Sequence, residues 1–391
     1  MSLEVVSLGC RLNLSESERL RALLPQDQDL VVINSCAVTT EAVRQTRQAI
    51  RKARRARPDA RLLVTGCAAE IEREALGQMP EVDGLIANAA KLDPRSWNVP
   101  AVASEISRDK HTRAFIAVQN GCDHACTFCV IPQGRGPSRS LTVPQVLSEI
   151  EAHLSLGARE VVLTGVDLTS WGHDLPERPA LGVLVAAILK TFPLLERLRV
   201  SSLDGIEIDP LLFDLLAGEA RVMPHVHLSL QHGSDVILKR MKRRHLRRDA
   251  TNLVSNLRAK RPDIAIGADL IAGFPTESEG NHADNLSIIA DLGIVHGHIF
   301  PYSQRPGTPA ARMPQLAASA IKARAAELRT AVAAQRTVWL AEQIGKPLSV
   351  LAERDGTGHA PNFARVQLPP ATVAGSIVTI CPTRISEGLL A

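Results

Sequence analysis

The chain has 391 residues with 45% hydrophobic and 22% charged residues and a net charge of +4, which describes a soluble globular protein long enough for two or three domains. No apolar run approaches the ~20 residues of a membrane span. Met1-Ser2-Leu3-Glu4-Val5 lacks a basic stretch followed by an apolar core, so no secretory signal and a cytoplasmic location are expected. Seven cysteines in such a chain point to metal or redox chemistry rather than a disulfide framework.

In chain order, strands are predicted over Glu4–Leu8, Leu30–Cys36 and Arg61–Cys67, with a helix over Ser15–Leu24. Between the second and third strands, Val43, Ile50 and Ala53 share one helical face and Arg44, Arg47 and Arg51 another. This alternation predicts a parallel sheet with helices packed on it. Residues 97–112 carry no periodicity and read as a linker. From Arg113 a strand–helix repeat begins, with strands at Arg113–Gln119, Glu160–Thr164, Arg197–Ser201, His225–Leu230, Asp263–Leu270 and His296–Phe300. Helices are predicted between most of them, at Pro144–Leu156 and Gly182–Lys190 for example. Six such units predict an open (β/α)6 partial TIM barrel, whose functional groups belong at the C-terminal strand ends. Leu316–Glu342 reads as one long helix of strong helix formers. Short β runs at Leu348–Ala352, Ala364–Leu368 and Gly375–Cys381 then predict a small β-barrel, with Cys381 in its core. The fold class is α/β in three domains: 1–98, 108–340 and 341–391.

The most informative spacing is Cys122-x-x-x-Cys126-x-x-Cys129. A 4Fe–4S cluster usually takes four cysteines. A loop with three leaves one iron open to a small molecule, here S-adenosylmethionine, and Phe128 is placed to pack against its adenine. Structural zinc prefers paired Cys-x-x-Cys arms, and no second arm lies near. Cys10, Cys36 and Cys67 form a second set, each where a predicted strand runs out. The C-terminal ends of parallel strands converge on one edge, which brings these thiols together as another three-ligand cluster site. Three unrelated buried cysteines are the plain alternative. Cys381 is not expected to be a ligand.

At the barrel's strand ends, Gly165 lets a cofactor approach the backbone, and Asp167 is placed to accept from its ammonium group. Ser202, Gln231 and Asp269 follow or end later strands and complete a candidate S-adenosylmethionine mouth. Each also has a local reading, because polar residues at strand ends cap the helices that follow. No catalytic side chain is singled out beyond the cluster ligands. Two basic runs, Arg44 to Arg57 and Lys239 to Arg248, suit a polyanion. Solvated helix faces are the alternative. Aromatic content of 3% argues against extensive base stacking.

The chain resembles the methylthiotransferases of the radical S-adenosylmethionine superfamily over nearly its whole length. The resemblance is carried by Gly9-Cys10 with Asn13, Asn34-Ser35-Cys36-Ala37-Val38-Thr39, Thr65-Gly66-Cys67-Ala68 and Gly121-Cys122 through Pro132. Arg135-Gly136, Leu163-Thr164-Gly165-Val166-Asp167, Gly273-Phe274-Pro275-Thr276-Glu277 and Phe300-Pro301-Tyr302-Ser303 add to it. Arg135 to Ser140, Val166 to Gly172 and Leu238 to Arg244 look most like the branch acting on N6-threonylcarbamoyladenosine in tRNA, beside the anticodon at position 37. That resemblance implies two 4Fe–4S clusters, with Cys122, Cys126 and Cys129 on the radical cluster and Cys10, Cys36 and Cys67 on the auxiliary one. It further implies two uses of S-adenosylmethionine, one giving methyl to sulfur and one generating the radical that attacks C2 of the adenine. The expected partners are the tRNA anticodon stem-loop and a reductant such as flavodoxin or ferredoxin. A TRAM-like C-terminal domain is also implied, although Gly358 to Phe363 matches that pattern only loosely, and Gln133 stands where relatives usually carry an aromatic residue. Sister readings are isopentenyl-type adenosine in tRNA or an aspartate of a ribosomal protein as substrate. A non-catalytic iron–sulfur RNA-binding protein is the alternative of another class.

Overall fold

The computed structural model describes residues 2–99 and 112–391, so the predicted linker over 97–112 lies largely outside the described residues. The chain separates into two compact units. The first combines the N-terminal region with Gln119–Arg139 and Ser303–Ala311; the second combines the stretch ending at Val118 with Ser140–Tyr302 and Arg312–Ala391.

In the first unit, β1 (Leu3–Ser7), α1 (Arg11–Leu23), β2 (Leu30–Ser35), α2 (Thr40–Ala56), β3 (Arg61–Gly66), the short helices α3 (Cys67–Ile71) and α4 (Arg73–Gly77), and β4 (Gly84–Leu85) follow in order. The sheet runs β1-β2-β3-β4, all parallel. Every residue of β2 is buried because both its faces are covered. Val31, Ile33, Leu62 and Val64 pack on one side with Val43, Ile50 and Ala53 of α2. Val5, Val32 and Leu63 pack on the other with Leu20, Leu24 and Trp97. Alternate residues of each strand thus serve opposite cores, as a pleated strand requires.

The strands of the second unit begin with β5 (Arg113–Ala117); β6 (Gln119–Asn120), α5 (Ile131–Arg135) and β7 (Arg139–Ser140) follow in sequence around the cysteine loop. Then come α6 (Val143–Ser155), β8 (Glu160–Thr164), α7 (Leu181–Thr191), β9 (Arg197–Val200), β10 (Ser202–Leu203), α8 (Pro210–Gly218) and β11 (His225–Gln231). The series closes with α9 (Asp235–Arg240), α10 (Arg247–Lys260), β12 (Ala265–Ala272), α11 (Glu279–Asp291), β13 (Ile294–Pro301) and α12 (Ala318–Ala341). Strands pair in parallel as β5-β8-β9 and β10-β11-β12-β13, and β10 follows β9 after the single residue Ser201. One apolar core runs along the helix side of all of them, through Val161, Leu163, Leu198, Val226, Leu228, Ala268 and Leu270.

The opposite side of these strands is polar, and it is curved. Phe363 shows this directly: the Arg113 guanidinium of β5 lies 5.6 Å from its ring, and the His296 ring of β13 also lies 5.6 Å away. In a flat sheet six strands wide those two edges would stand about 24 Å apart. The strands therefore wrap around one aromatic side chain, as an open barrel does.

Phe363 lies in the loop between β15 and β16 of the C-terminal sheet, which is made of β14 (Leu348–Ala352), β15 (Thr357–His359), β16 (Arg365–Gln367), β17 (Ile377–Ile380), β18 (Ile385–Ser386) and β19 (Leu389–Leu390), ordered β17-β14-β15-β16-β19-β18. It has its own core of Val350, Ala352, Ala360, Val366 and Leu390 with Leu340 of α12. Cys381 corrects the sequence reading, for it is exposed. Val378 and Ile380 of the edge strand β17 (Ile377–Ile380) pack on the sheet's core, so Thr379 and Cys381 fall on the outward side.

Polar anchors join this sheet to the barrel interior. Arg197 donates to the carbonyls of Ser349 (2.7 Å) and His359 (3.1 Å), and Arg199 to that of Pro361 (3.1 Å). Arg199 also pairs with the fully buried Glu160 at 2.9 Å. Desolvation alone would raise the Glu160 pKa, but Arg199, Arg113 and Arg197 together hold it below the usual carboxylate range.

Candidate functional site

All six expected ligand cysteines lie in the first unit, and none forms a disulfide. Cys10 is the N-cap of α1, Cys36 follows β2, and Cys67 opens α3 directly after β3, so the parallel strands deliver them to one edge. Two polar side chains staple the three loops. Asn13 donates to the carbonyls of Leu8 (2.7 Å) and Ser35 (2.9 Å), which ties the Cys10 and Cys36 loops. Ser35 Oγ donates to the Thr65 carbonyl (2.5 Å) and accepts from the Ala68 amide (3.1 Å), which ties Cys36 to Cys67. Gly9 has φ +89°, and a Cβ there would stand 2.7 Å from Cys36 Sγ, so the close approach demands glycine.

Burial pushes the Cys36 thiol up to about 11, with Cys10 and Cys67 adding to the rise, and burial likewise raises Cys67. An iron–sulfur group seated here displaces those protons. Beside these thiols lies a buried charge cluster. Glu16, Lys91 and Arg135 have side chains only 2–3% exposed. Arg135 donates to Glu16 (2.9 and 3.1 Å), Asn120 Oδ1 (2.8 Å) and Asn13 Oδ1 (2.5 Å). Lys91 Nζ reaches Glu16 Oε2 at 2.5 Å and Asn34 Oδ1 at 3.2 Å. Two cations share one carboxylate, which leaves an excess positive charge next to the Cys10, Cys36 and Cys67 thiols. An anionic thiolate-ligated cluster fits that surplus.

The Cys122–Cys129 loop opens at Gly121, with φ +78° and no room for a Cβ, which would fall 1.9 Å from the Pro137 carbonyl oxygen. Its sulfurs accept backbone hydrogen bonds, Cys122 Sγ from the His124 amide and Cys129 Sγ from the Ile131 amide, both at 3.4 Å. Amides aimed at cysteine sulfur are what thiolate ligands of a cluster use. Further bonds from the Ser138 amide to Asp123 (3.0 Å) and the Ala310 amide to the Thr127 carbonyl (2.9 Å) brace the loop. Both cysteine sets therefore fit iron–sulfur groups, and each offers three protein ligands. Phe128 lies within the same loop and is half-buried.

In the second unit Gly165, Asp167, Ser202 and Gln231 all lie at the C-terminal strand edge. Asp167 accepts from Ser170 Oγ (2.7 Å) and caps the turn over Leu168–Ser170. Ser202 pairs in register with His227. Gln231 takes a left-handed φ of 69° at a register shift of β11. Asp269 stands apart from these four. It lies three residues before the end of β12, where Oδ1 accepts from His227 Nε2 (2.9 Å) and His298 Nδ1 (3.0 Å).

Much of each basic run is neutralised by neighbours. Arg243 pairs with Asp204 (2.8 Å), Arg244 with Glu207 (2.6 Å) and Arg247 with Asp291, while Arg240 donates to Thr276. Lys239, Lys242 and Arg248 stay exposed. Along α2, Arg44 pairs with Glu41, Arg54 with Asp83 and Arg57 with Asp29, and Lys52 and Arg55 stay exposed. Sequence reasoning missed the charge cluster, the histidines that hold Asp269, and Phe363. Only the second left a signal: His225-x-His227 and His296-x-His298 repeat with the period of a strand.

Residues 116–286 match the family model described as the Radical SAM superfamily, and residues 2–87 match one described as uncharacterized protein family UPF0004. The chain is 42% identical to threonylcarbamoyladenosine tRNA methylthiotransferase MtaB of Rickettsia prowazekii, over 99% of this chain and 96% of that protein. It is 32% identical to the protein of the same name from Aquifex aeolicus, over 97% and 100%. Identity is also 32% to tRNA-2-methylthio-N(6)-dimethylallyladenosine synthase of Cereibacter sphaeroides, over 90% and 87%. Among solved structures it is similar to the radical S-adenosylmethionine methyltransferase TsrM from Kitasatospora setae with cobalamin and a 4Fe–4S cluster bound (TM-score 0.54, 16% identity, 77% of this chain and 66% of that one). The cobalamin-dependent S-adenosylmethionine radical enzyme OxsB is similar too (TM-score 0.53, 12% identity, 93% and 64%). This chain thus spans about two thirds of those longer proteins, and at such identities the likeness shows the fold.

Proposed function

Because this chain belongs to the radical S-adenosylmethionine methylthiotransferases, in the branch of the MtaB enzymes, we propose that it converts N6-threonylcarbamoyladenosine beside the tRNA anticodon to its 2-methylthio derivative. The observation that carries this reading is the pair of three-cysteine sites in one compact unit. Its cofactors are two 4Fe–4S clusters and S-adenosylmethionine. Those groups supply one-electron chemistry able to break an unactivated C–H bond, and a sulfur to place on the carbon.

The chain's own residues do the rest. Cys122, Cys126 and Cys129 would hold the cluster that binds S-adenosylmethionine, and Cys10, Cys36 and Cys67 the auxiliary one. Asn13 and Ser35 fix the spacing of the latter three loops, and Arg135 with Lys91 keeps positive charge beside them. Gly165, Asp167, Ser202 and Gln231 at the barrel's strand ends are the S-adenosylmethionine contacts proposed in the second unit, and Phe128 is the one proposed in the first. The exposed cations Lys52, Arg55, Lys239, Lys242 and Arg248 are available to tRNA phosphates. A flavodoxin- or ferredoxin-class reductant and a cytoplasmic setting complete the proposal. Among the described residues no helix is long and apolar enough to cross a membrane.

A second reading, methylthiolation of dimethylallyladenosine, is favoured by the similarity to the Cereibacter enzyme. Mass spectrometry of tRNA nucleosides from cells with and without the protein separates the two. Loss of the 2-methylthio form of threonylcarbamoyladenosine alone is expected. Loss of the dimethylallyl form alone would move the assignment to the second reading.

A further inference from the structure

The inward face of β11–β13 carries a polar group that the cluster chemistry does not use. His227, Asp269 and His298 sit on three adjacent strands, with Asp269 directly opposite His298 in register. Alternate residues on these strands, Leu228, Ala268 and Leu270, face the apolar core, so the three polar side chains point into the barrel. Asp269 is held well below its ordinary range, at about 2: burial would raise it, but hydrogen bonds from His227 and His298 outweigh that. Its carboxylate is then an acceptor only, which places the protons on His227 Nε2 and His298 Nδ1 and leaves His298 Nε2 for a ligand.

The layer beneath is closed. His225 stacks on Phe363 at 4.9 Å, and His296 meets the same ring. A Cβ on Gly267 would stand 2.4 Å from His227 Nδ1, so that ring is wedged in place. Above this floor exposure rises from 7% at His227 through 19% at Asp269 to 61% at His298. Phe300 is the next inward residue of β13, its ring 6.5 Å from that of His298, and it too is exposed. The group therefore presents one oriented imidazole edge beside one aromatic face, about 10 Å below the strand ends. Burying a histidine–carboxylate pair costs desolvation, and the helix side already supplies the apolar packing these strands need.

We propose that His298, oriented by Asp269 and His227, binds the polar amino-acid arm on N6 of the substrate adenosine, with Phe300 against the arm's carbon skeleton. The inference rests on the substrate reading above. A dimethylallyl arm offers Nε2 no hydrogen-bonding group, so His298 is a specificity-determining residue. Asp269 acts through the imidazole and is a positioning residue.

The test measures binding of anticodon stem-loop RNAs to the reconstituted holoenzyme, with adenosine, N6-threonylcarbamoyladenosine or N6-dimethylallyladenosine beside the anticodon. The wild-type protein should prefer the threonylcarbamoyl RNA over the unmodified one by about fivefold to tenfold, the worth of one hydrogen bond donated by the arm's N–H or hydroxyl to His298 Nε2. His298→Leu should reduce that preference to about twofold or less, with affinity for unmodified RNA and the thermal unfolding midpoint both retained. His298→Gln, which keeps a hydrogen-bonding tip, should restore most of it, and Asp269→Asn should fall between. A His298→Leu protein that keeps the full preference, or a wild-type protein with none, overturns the inference and leaves the substrate reading standing. A wild-type preference for the dimethylallyl RNA instead overturns the substrate reading, and the inference with it.

Discussion

Glu16 is the residue whose loss should reveal most about how the auxiliary site is held. Among the described residues it is the one carboxylate that both Lys91 and Arg135 pair with, and all three side chains are 2–3% exposed. Glu16→Gln keeps the shape and removes the charge, stranding two cations in the interior. Breaking a buried pair by removing one partner typically costs about 3–5 kcal/mol. A domain is stable by about 5–15 kcal/mol, so this is roughly a fifth or more of the total. Part of the cost can be shed, because burial and Arg135 already lower the Lys91 pKa and Glu16 is the main group opposing them. The double variant Glu16→Gln with Lys91→Met should therefore be more stable than Glu16→Gln alone, a coupling that independent sites would not show. Urea unfolding of the four-member cycle measures both numbers. Iron retained after mild chelation reports whether the Cys10, Cys36 and Cys67 loops loosen. A Glu16→Gln loss under about 1 kcal/mol, or strict additivity in the cycle, would refute the argument that this carboxylate holds the site together. The same charge balance fixes a pH dependence. Desolvation would raise the Glu16 pKa, but Lys91 and Arg135 together lower it. Its stabilisation is thus complete above the unfolded carboxylate pKa and disappears as pH falls through the folded one.

Phe363 should be equally costly in the second unit: Phe363→Ala removes the ring that His225, His359 and Arg199 enclose, and a loss of about 3–5 kcal/mol in urea unfolding is expected. A loss below about 1 kcal/mol would mean that the C-terminal sheet is held by its arginine–carbonyl bonds alone. Asp204 gives a second pH effect. Desolvation raises its pKa, but His245, 3.5 Å away, with Arg243 and Arg244 holds it at about 2, against an ordinary 3.8. That is worth about 2 kcal/mol, present above pH ~4 and lost as pH falls towards ~2. Asp204→Asn should flatten that part of the stability–pH curve, and an unchanged curve would count against the pairing. For the chemistry, Cys126→Ala should abolish 5′-deoxyadenosine formation, while Cys36→Ala should retain some of it and stop sulfur insertion. Equal and complete loss in both would undercut the division of labour between the two cysteine sets.

What the sequence made legible, and what it hid, follows from the range of the interactions. Leu30-Val31-Val32-Ile33 and Arg61-Leu62-Leu63-Val64 are apolar runs bounded by polar turns, so their strands fall within a residue of the expected spans. The places of the cysteines were legible because one set is close in sequence and the other follows strand ends. Glu16 was not. Helix α1 buries Asn13, Ser15, Glu16 and Ser17 alongside Leu12 and Leu20, so its inward face is polar and reads as a solvated one. The partners that justify that face, Lys91 and Arg135, are 75 and 119 residues away. Arg243 and Arg244 misled in the opposite sense. Their run resembles a phosphate-binding stripe, yet Asp204 and Glu207, some 40 residues earlier, absorb both charges. Charged residues are placed by long-range pairing and apolar ones by local periodicity, so a sequence exposes its scaffold more readily than its electrostatics. Functional specificity here is electrostatic: an excess cation beside one set of thiols, and one oriented imidazole in the barrel. The residues that tell this enzyme's substrate from those of its relatives are therefore expected among the charged and polar inward positions that periodicity leaves unassigned.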